Sequence, residues 1–151
     1  MEIRDGKEYI PQVRELIAEY TERLGRNLSF QHLDEELQNP AFKYTPPQGE
    51  IFVAVENGNV IGMVAYHRHN EERCEMKRLY LKPETRGMHI GDALVQKITA
   101  AAKEAGYKEM VLGTIKPLTA AIHLYKKHGF SECAPYYDNP MQDVLYMRKD
   151  L

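Results

Sequence analysis

The chain has 151 residues, 43% hydrophobic and 28% charged, with a formal net charge of -2 at pH 7. That length and balance predict a single domain over residues 1–151 with one core, and the lack of a basic run argues against nucleic acid as a partner. Cys74 and Cys133 have no CxxC spacing, no apolar run approaches a membrane span, and Arg4, Asp5, Lys7 and Glu8 make the N-terminus unlike a signal peptide. Reduced thiols, no zinc site, no membrane partner and a cytoplasmic location are the expectations by elimination.

Ile3 is assigned to a very short first strand. Ile10, Val13, Leu16, Ile17, Tyr20 and Leu24 follow helical spacing, with Gly25 as a stop. Ser29 is placed as the cap of a second helix containing Phe30, Leu33 and Leu37, with Asn39-Pro40 ending it. Phe42 to Gly49, with Pro46-Pro47, reads as loop. Glu50 to Val55 and Val60 to His67 flank Asn57-Gly58-Asn59 as a hairpin. Cys74 to Leu81 forms a third strand, closed by Lys82-Pro83. A glycine-containing turn then opens a helix from about Ile90 to Ala105, with Gly106 past its end. Glu109 to Gly113 is a short buried strand. Pro117 sits in the first turn of a helix running through Ala121, Leu124 and Tyr125 to Gly129, and two strands close the chain at Phe130 to Cys133 and Asp143 to Met147.

Helices, an antiparallel meander, a βαβ crossover, a helix and two closing strands make an α/β (α+β) fold: a mixed, mostly antiparallel central sheet flanked by about four helices. Repeated βαβ units of a Rossmann domain are absent, and no GxxxxGK[ST] phosphate loop occurs. The turn Arg86-Gly87-Met88-His89-Ile90-Gly91 stands between strand and helix. Backbone N–H groups at a helix start, with the positive end of the helix dipole behind them, suit a phosphate or pyrophosphate.

This turn and the later run Ala121-Ile122-His123-Leu124-Tyr125-Lys126-Lys127-His128-Gly129-Phe130 together resemble the GCN5-related N-acetyltransferase (GNAT) family. The family's Q/R-x-x-G-x-G/A cofactor motif and its Ala-x-x-Leu-Tyr helix ending in Gly-Phe occur in that order. The element order resembles the family's from about residue 8 to the C-terminus. Cys74 to Tyr80 and Pro135 to Pro140 further resemble a bacterial subgroup of unassigned acetyltransferases. His89 replaces the motif's usual first glycine, in a position that calls for a left-handed backbone. Leu118 stands where many members have Asn near the pantetheine arm.

The resemblance implies acetyl-CoA as cosubstrate, no metal, and transfer of the acetyl group to a primary amine by direct attack in a ternary complex. The acceptor is a small-molecule amine or a protein amine, and the family leans toward a homodimer. A different class of function, a CoA-binding regulatory or interaction module without turnover, is motivated by His89 and Leu118. Arg86, Gly87, Met88, His89, Ile90, Gly91 and Asp92 are the expected pyrophosphate site, with main-chain groups of Leu79 and Leu81 pairing with pantetheine amides.

Tyr125 is the candidate acid for the leaving thiolate, although its helical spacing with Ala121 and Leu124 also fits a core aromatic. Glu75 is the candidate base, its pKa expected to rise on burial. Alternatively it pairs with Lys77 on the strand surface or binds the acceptor's ammonium group. Tyr136, Tyr137 and Asn139, with Arg78 and Tyr80, are candidate acceptor-pocket residues. His67 and His69 share a strand face, too few for a metal site, and are expected to be solvated.

Overall fold

The computed structural model describes residues 1–26, 33–85 and 87–151. Seven strands form one sheet: β1 (Glu2–Asp5), β2 (Gly49–Glu56), β3 (Asn59–Arg68), β4 (Arg73–Leu81), β5 (Glu109–Ile115), β6 (Ser131–Glu132) and β7 (Val144–Asp150), in the spatial order β1-β2-β3-β4-β5-β7-β6. All neighbours are antiparallel except β4 and β5, which run parallel and are joined through the crossover helix α4 (Ile90–Glu104). The helices α1 (Ile10–Leu24), α2 (Leu33–Gln38), α3 (Pro40–Lys43) and α5 (Thr119–Lys127) complete the fold. None of the described helices is long and apolar enough to cross a membrane.

Both faces of the sheet are covered, which is why β3 reads as a nearly unbroken apolar run rather than an alternating one. On one face Ile90, Leu94, Val95, Ile98 and Ala102 of α4 bury Ala54, Val64, Cys74 and Met76. On the other, Val13, Leu16 and Ile17 of α1 bury Val53, Val55, Met63 and Ala65. Successive residues of one strand therefore serve two cores.

Several elements depart from the sequence expectation. The second helix stops at Gln38, before Asn39-Pro40 as expected, but Pro40 also begins a further helix at its first position, where its missing N–H costs nothing. Pro117 lies before α5, which starts at Thr119 with Leu118 as its N-cap residue. The last strand is longer than expected, because Val144 to Asp150 pairs with the whole of β5. Ser29 and Phe30 lie outside the described residues.

Two features of β4 shape everything that follows. Ala65 faces Lys77 while Met63 faces Tyr80, so β4 carries one more residue than β3 across that interval. This bulge places Arg78 at φ +59, a conformation that non-glycine residues rarely take, and resets the alternation of side chains. The parallel ladder to β5 ends at Glu75↔Val111, although both strands continue. Beyond that pair they separate.

Candidate active site

The separation of β4 from β5 opens a cleft through the sheet. Its walls are Glu75 to Leu79 of β4, Leu112 to Ile115 of β5, Leu118, Ala121 and Tyr125 around α5, Tyr20 and Leu24 of α1, and Tyr137, Asn139 and Met141 of the last loop. Leu79 packs on the α4-side core, as does Leu81 further along the strand. Their side chains are thus structural, while the strand edge beyond Glu75 is no longer laddered to β5. Such an edge can accept an extended, amide-bearing ligand in place of the missing strand.

The turn that follows β4 has the geometry its sequence calls for. A short 3₁₀ turn, Pro83–Thr85, leads into Gly87 at φ +83, Met88, which is half exposed, and His89 at φ 58, ψ 23. His89 occupies the left-handed region expected for the replaced glycine, and no side chain caps the start of α4. Ile90 and Gly91 are buried in the first turn. A Cβ on Gly91 would lie 3.0 Å from Leu124 and 3.3 Å from Leu81, so a bare backbone is what lets the helix start sit this close to β4 and α5.

Asp92 belongs to the same turn of helix, but its carboxylate looks away to α5. It accepts from His128 Nε2 at 2.8 Å and pairs with Lys127 Nζ at 2.9 Å, with His89 Nδ1 at 3.4 Å. The Lys127 and His128 donors hold it well below the usual carboxylate range. Its side chain ties the two helix ends together. Arg86 lies outside the described residues.

Tyr125 is 7% exposed and lines the cleft from α5, its ring edge-on to Phe130 at 5.9 Å between centroids. Among the described residues no group hydrogen-bonds its hydroxyl. Burial pushes its pKa above the ordinary phenol value, so the phenol keeps its proton.

Glu75, 6% exposed, lines the same cleft from β4. Tyr136 donates to its Oε2 at 2.5 Å and His67 Nε2 lies 2.8 Å from Oε1. A carboxylate only accepts, so Nε2 carries the proton. His67 is therefore not solvated as expected but committed to Glu75, and His69 lies edge-on to Tyr136 at 5.7 Å. Burial alone would raise the Glu75 pKa, but the His67 hydrogen bond, the Lys77 ammonium at 3.9 Å and the Tyr136 hydroxyl outweigh it and bring it to about 2. The rise on burial expected for a general base does not occur.

The model of the acetyltransferase (GNAT) family matches residues 10–130, most of the chain. The chain belongs to the GNAT family. An uncharacterized N-acetyltransferase of Schizosaccharomyces pombe is 45% identical over 138 residues, 90% of this chain and 85% of that one. Another, from Dictyostelium discoideum, is 30% identical and spans 100% of this chain and 99% of its own. The fold of the PaiA N-acetyltransferase of Thermoplasma acidophilum, solved in complex with coenzyme A, superposes with a TM-score of 0.75 at 19% identity, covering 99% of this chain and 98% of that one. This protein is accordingly an N-acetyltransferase by family, and nothing in these likenesses supports the reading of a module without turnover.

Within this GNAT site the side chains of two expected acceptor residues are held by carboxylates of the chain. Arg78 is 4% exposed and lines the cleft wall, but its guanidinium is held by Glu36 of α2: Nε donates to Oε2 at 2.7 Å and Nη2 to Oε1 at 3.1 Å. Tyr80 turns to α1, donating to Glu19 Oε2 at 2.6 Å and meeting the Tyr20 ring at 5.9 Å. The bulge turns both side chains toward the carboxylates that hold them, Glu36 and Glu19. Tyr137 and Asn139 do line the cleft, and Asn139 Nδ2 donates to the Tyr137 hydroxyl at 2.8 Å. Tyr136 stands behind them against Tyr137 and Tyr146.

Lys77 and Gly113 escaped the sequence reading of the GNAT pocket. Lys77 shares the face of Glu75, as the i, i+2 spacing on a strand allows, and its pKa falls to about 8 through burial, helped by Arg78 and Lys43 and opposed by Glu75. Gly113 is a lone glycine within a strand, the pattern that marks a close approach or a space kept open.

Proposed function

We propose that the chain transfers an acetyl group from acetyl-CoA to a primary amine by direct attack in a ternary complex. The observation that carries this reading is the parting of β4 and β5 beyond Glu75, with the uncapped start of α4 at one end and Tyr125 on the wall. The strand edge near Leu79 and Leu81 suits the pantetheine amides, and the amides of Gly87 to Asp92 suit the pyrophosphate. Arg86 adds a charge-assisted contact in this scheme. The PaiA neighbour holds coenzyme A and a GNAT structure from Elizabethkingia anophelis holds acetyl-CoA, which supports the choice of donor.

The amine nitrogen attacks the thioester carbon, the C–S bond breaks, and the departing sulfur takes the Tyr125 proton. A phenol held protonated by burial is suited to that step. Glu75, with a pKa of about 2, is a weak base. Its role here is to hold the acceptor's ammonium group by charge and hydrogen bonding, while water carries the lost proton away. Neither cysteine enters: burial pushes the Cys74 thiol up to about 12, far from a reactive thiolate.

Calorimetric titration with acetyl-CoA, coupled to a free-thiol assay over an amine panel, tests the proposal. Saturable binding with amine-dependent thiol release is expected. Absence of binding at millimolar acetyl-CoA, an affinity worth only about 4 kcal/mol, would overturn it.

A further inference from the structure

Gly113 is exposed in the middle of the sheet. β5 is a central strand between β4 and β7, and Leu112 and Thr114 on either side of the glycine are buried. The register pairs Glu75 with Val111, so Gly113, two residues on, shares their side of the sheet, while Leu112 packs into the α4-side core. Gly113 therefore opens onto the cleft that it lines. A Cβ there would lie 3.7 Å from the Tyr137 hydroxyl and from Val144 Cγ1, and 3.8 Å from the Tyr136 hydroxyl, ordinary contact distances. Its φ is not positive either. Neither crowding nor backbone strain calls for glycine here. What the missing side chain leaves is a hollow next to Glu75, whose Oε2 is the partner of the same Tyr136 hydroxyl at 2.5 Å.

The charges that line the cleft are balanced within the chain. Lys77 pairs with Glu75 at 3.9 Å, and Arg78 meets Glu36 in a two-point contact. The polar groups around the hollow have partners too. Tyr136 donates to Glu75, Asn139 Nδ2 donates to the Tyr137 hydroxyl, and Asn139 Oδ1 accepts from the Met141 amide at 2.9 Å. What the wall offers a ligand is apolar: Val144, Met141, Leu24 and the rings of Tyr20 and Tyr137. Each Glu75 oxygen accepts one hydrogen bond, of about two that a carboxylate oxygen can take, which leaves room for one ammonium group. Glu75 is the one acid among the described lining residues, so a second ammonium on the same acceptor would meet Lys77 and Arg78 instead.

We infer that the acceptor is a monoamine with a bulky apolar substituent, an arylalkylamine by class, its ammonium group on Glu75 and its ring in the hollow over Gly113. Gly113 is thereby the residue that sets the acceptor's size. This rests on the acetyl-transfer reading above and narrows it. A ring suits the space because tyrosines bound it, and Tyr136, Tyr137 and Tyr146 already pack on one another at 5.2–5.7 Å between centroids, the spacing at which aromatic pairs attract.

The test measures thiol release with phenethylamine, ethylamine and the diamine putrescine in the native protein, in Gly113→Ala and in Gly113→Val, with each kcat/KM expressed per unprotonated amine. In the native protein phenethylamine should exceed ethylamine on the order of 100-fold, as burial of a phenyl-sized apolar group gives, and should exceed putrescine as well. Alanine fills part of the hollow and valine more of it. The phenethylamine-to-ethylamine ratio should fall in that order, by about tenfold or more in Gly113→Val. Valine suits a strand, and thermal melting with acetyl-CoA binding shows whether each variant keeps its fold. If Gly113→Val does not fold, Gly113→Ala carries the comparison. An unchanged ratio in the folded variants, or a native protein that favours ethylamine or putrescine, overturns the proposal. If no amine releases thiol, the transferase reading fails by itself. The hollow is then read from equilibrium binding of phenethylamine and ethylamine. Tighter binding of phenethylamine, lost in Gly113→Val, sustains it; equal binding, or none, overturns it.

Discussion

His67 and Glu75 stand directly opposite each other on β3 and β4, and their side chains meet at 2.8 Å inside the sheet's α1-side layer. With Tyr136 on the other carboxylate oxygen, this contact makes Glu75 a fixed anion and not a titrating base. His67→Ala and Tyr136→Phe should each raise the Glu75 pKa from about 2 toward its ordinary 4.5, observable by side-chain carboxyl NMR. Each should also cost about 1–3 kcal/mol, the range for leaving a buried charged group short of a partner. The folded pKa lies below the unfolded one, so the unfolded chain binds the extra proton between them. Glu75's contribution is therefore complete above pH 4.5 and is lost as pH falls to about 2. The stability gap between the native protein and Glu75→Gln should narrow over that window. A constant gap in denaturant midpoints would contradict the assignment.

Tyr125 offers the sharpest catalytic prediction. Tyr125→Phe keeps the ring that packs on Phe130 and removes only the hydroxyl, which has no hydrogen-bond partner among the described residues. Folding stability and acetyl-CoA affinity should barely move. Loss of a general acid costs about 10²–10⁴-fold, so kcat should fall by that order while the calorimetric Kd stays put. A variant with full turnover would leave Tyr125 as a packing residue.

His89 carries a backbone conformation that its side chain does not favour. His89→Gly should hold the turn and leave the acetyl-CoA Kd unchanged or tighter. His89→Val sets a β-branched residue at φ +58 and should lose about 1–3 kcal/mol of stability. The Val variant should also weaken acetyl-CoA, because the strain falls on the segment that presents the turn amides. Thermal melts and titrations of the two variants, side by side, separate the backbone effect from loss of the imidazole.

The Arg78–Glu36 pair is buried at both ends, with Tyr44 donating to Glu36 at 2.8 Å and Lys43 nearby at 3.4 Å. Burial opposes the charge of Glu36, but these neighbours outweigh it and lower its pKa. Glu36→Ala should cost about 3–5 kcal/mol, the penalty for stranding a buried charge, and the double change Glu36→Leu with Arg78→Met should recover much of it. Chemical denaturation measures both. A Glu36→Ala loss below 1 kcal/mol would show that the pair is effectively solvated.

Much of this was legible from residue order. Periodicity located the meander, the crossover and the two long helices, because each buries a continuous apolar stripe. The Leu-Tyr…Gly-Phe run marked one wall of the cleft, and the glycine turn marked the start of α4. What the sequence hid was the bulge in β4. Strict alternation places Arg78 and Tyr80 with Cys74 and Met76, yet one extra residue turns them toward Glu36 and Glu19. Nor could spacing show that His67 meets Glu75, because pairing register is a property of two strands together. Lys77 was visible only as a partner for Glu75, since its burial depends on the elements that bring Lys43 and Glu36 near it.

The burial of Lys77 gives the stability of the fold a pH signature of its own. Its folded pKa of about 8 lies below the ordinary 10.5, so the folded chain gives up this proton first as pH rises. Between those values the unfolded chain binds more protons, and the Lys77 contribution makes stability increase with pH there. The stability gap between the native protein and Lys77→Met should therefore move in favour of the native protein as pH rises from about 8 to 10.5, read from denaturant midpoints across that window. A gap that stays constant over the same range would contradict the lowered pKa of Lys77.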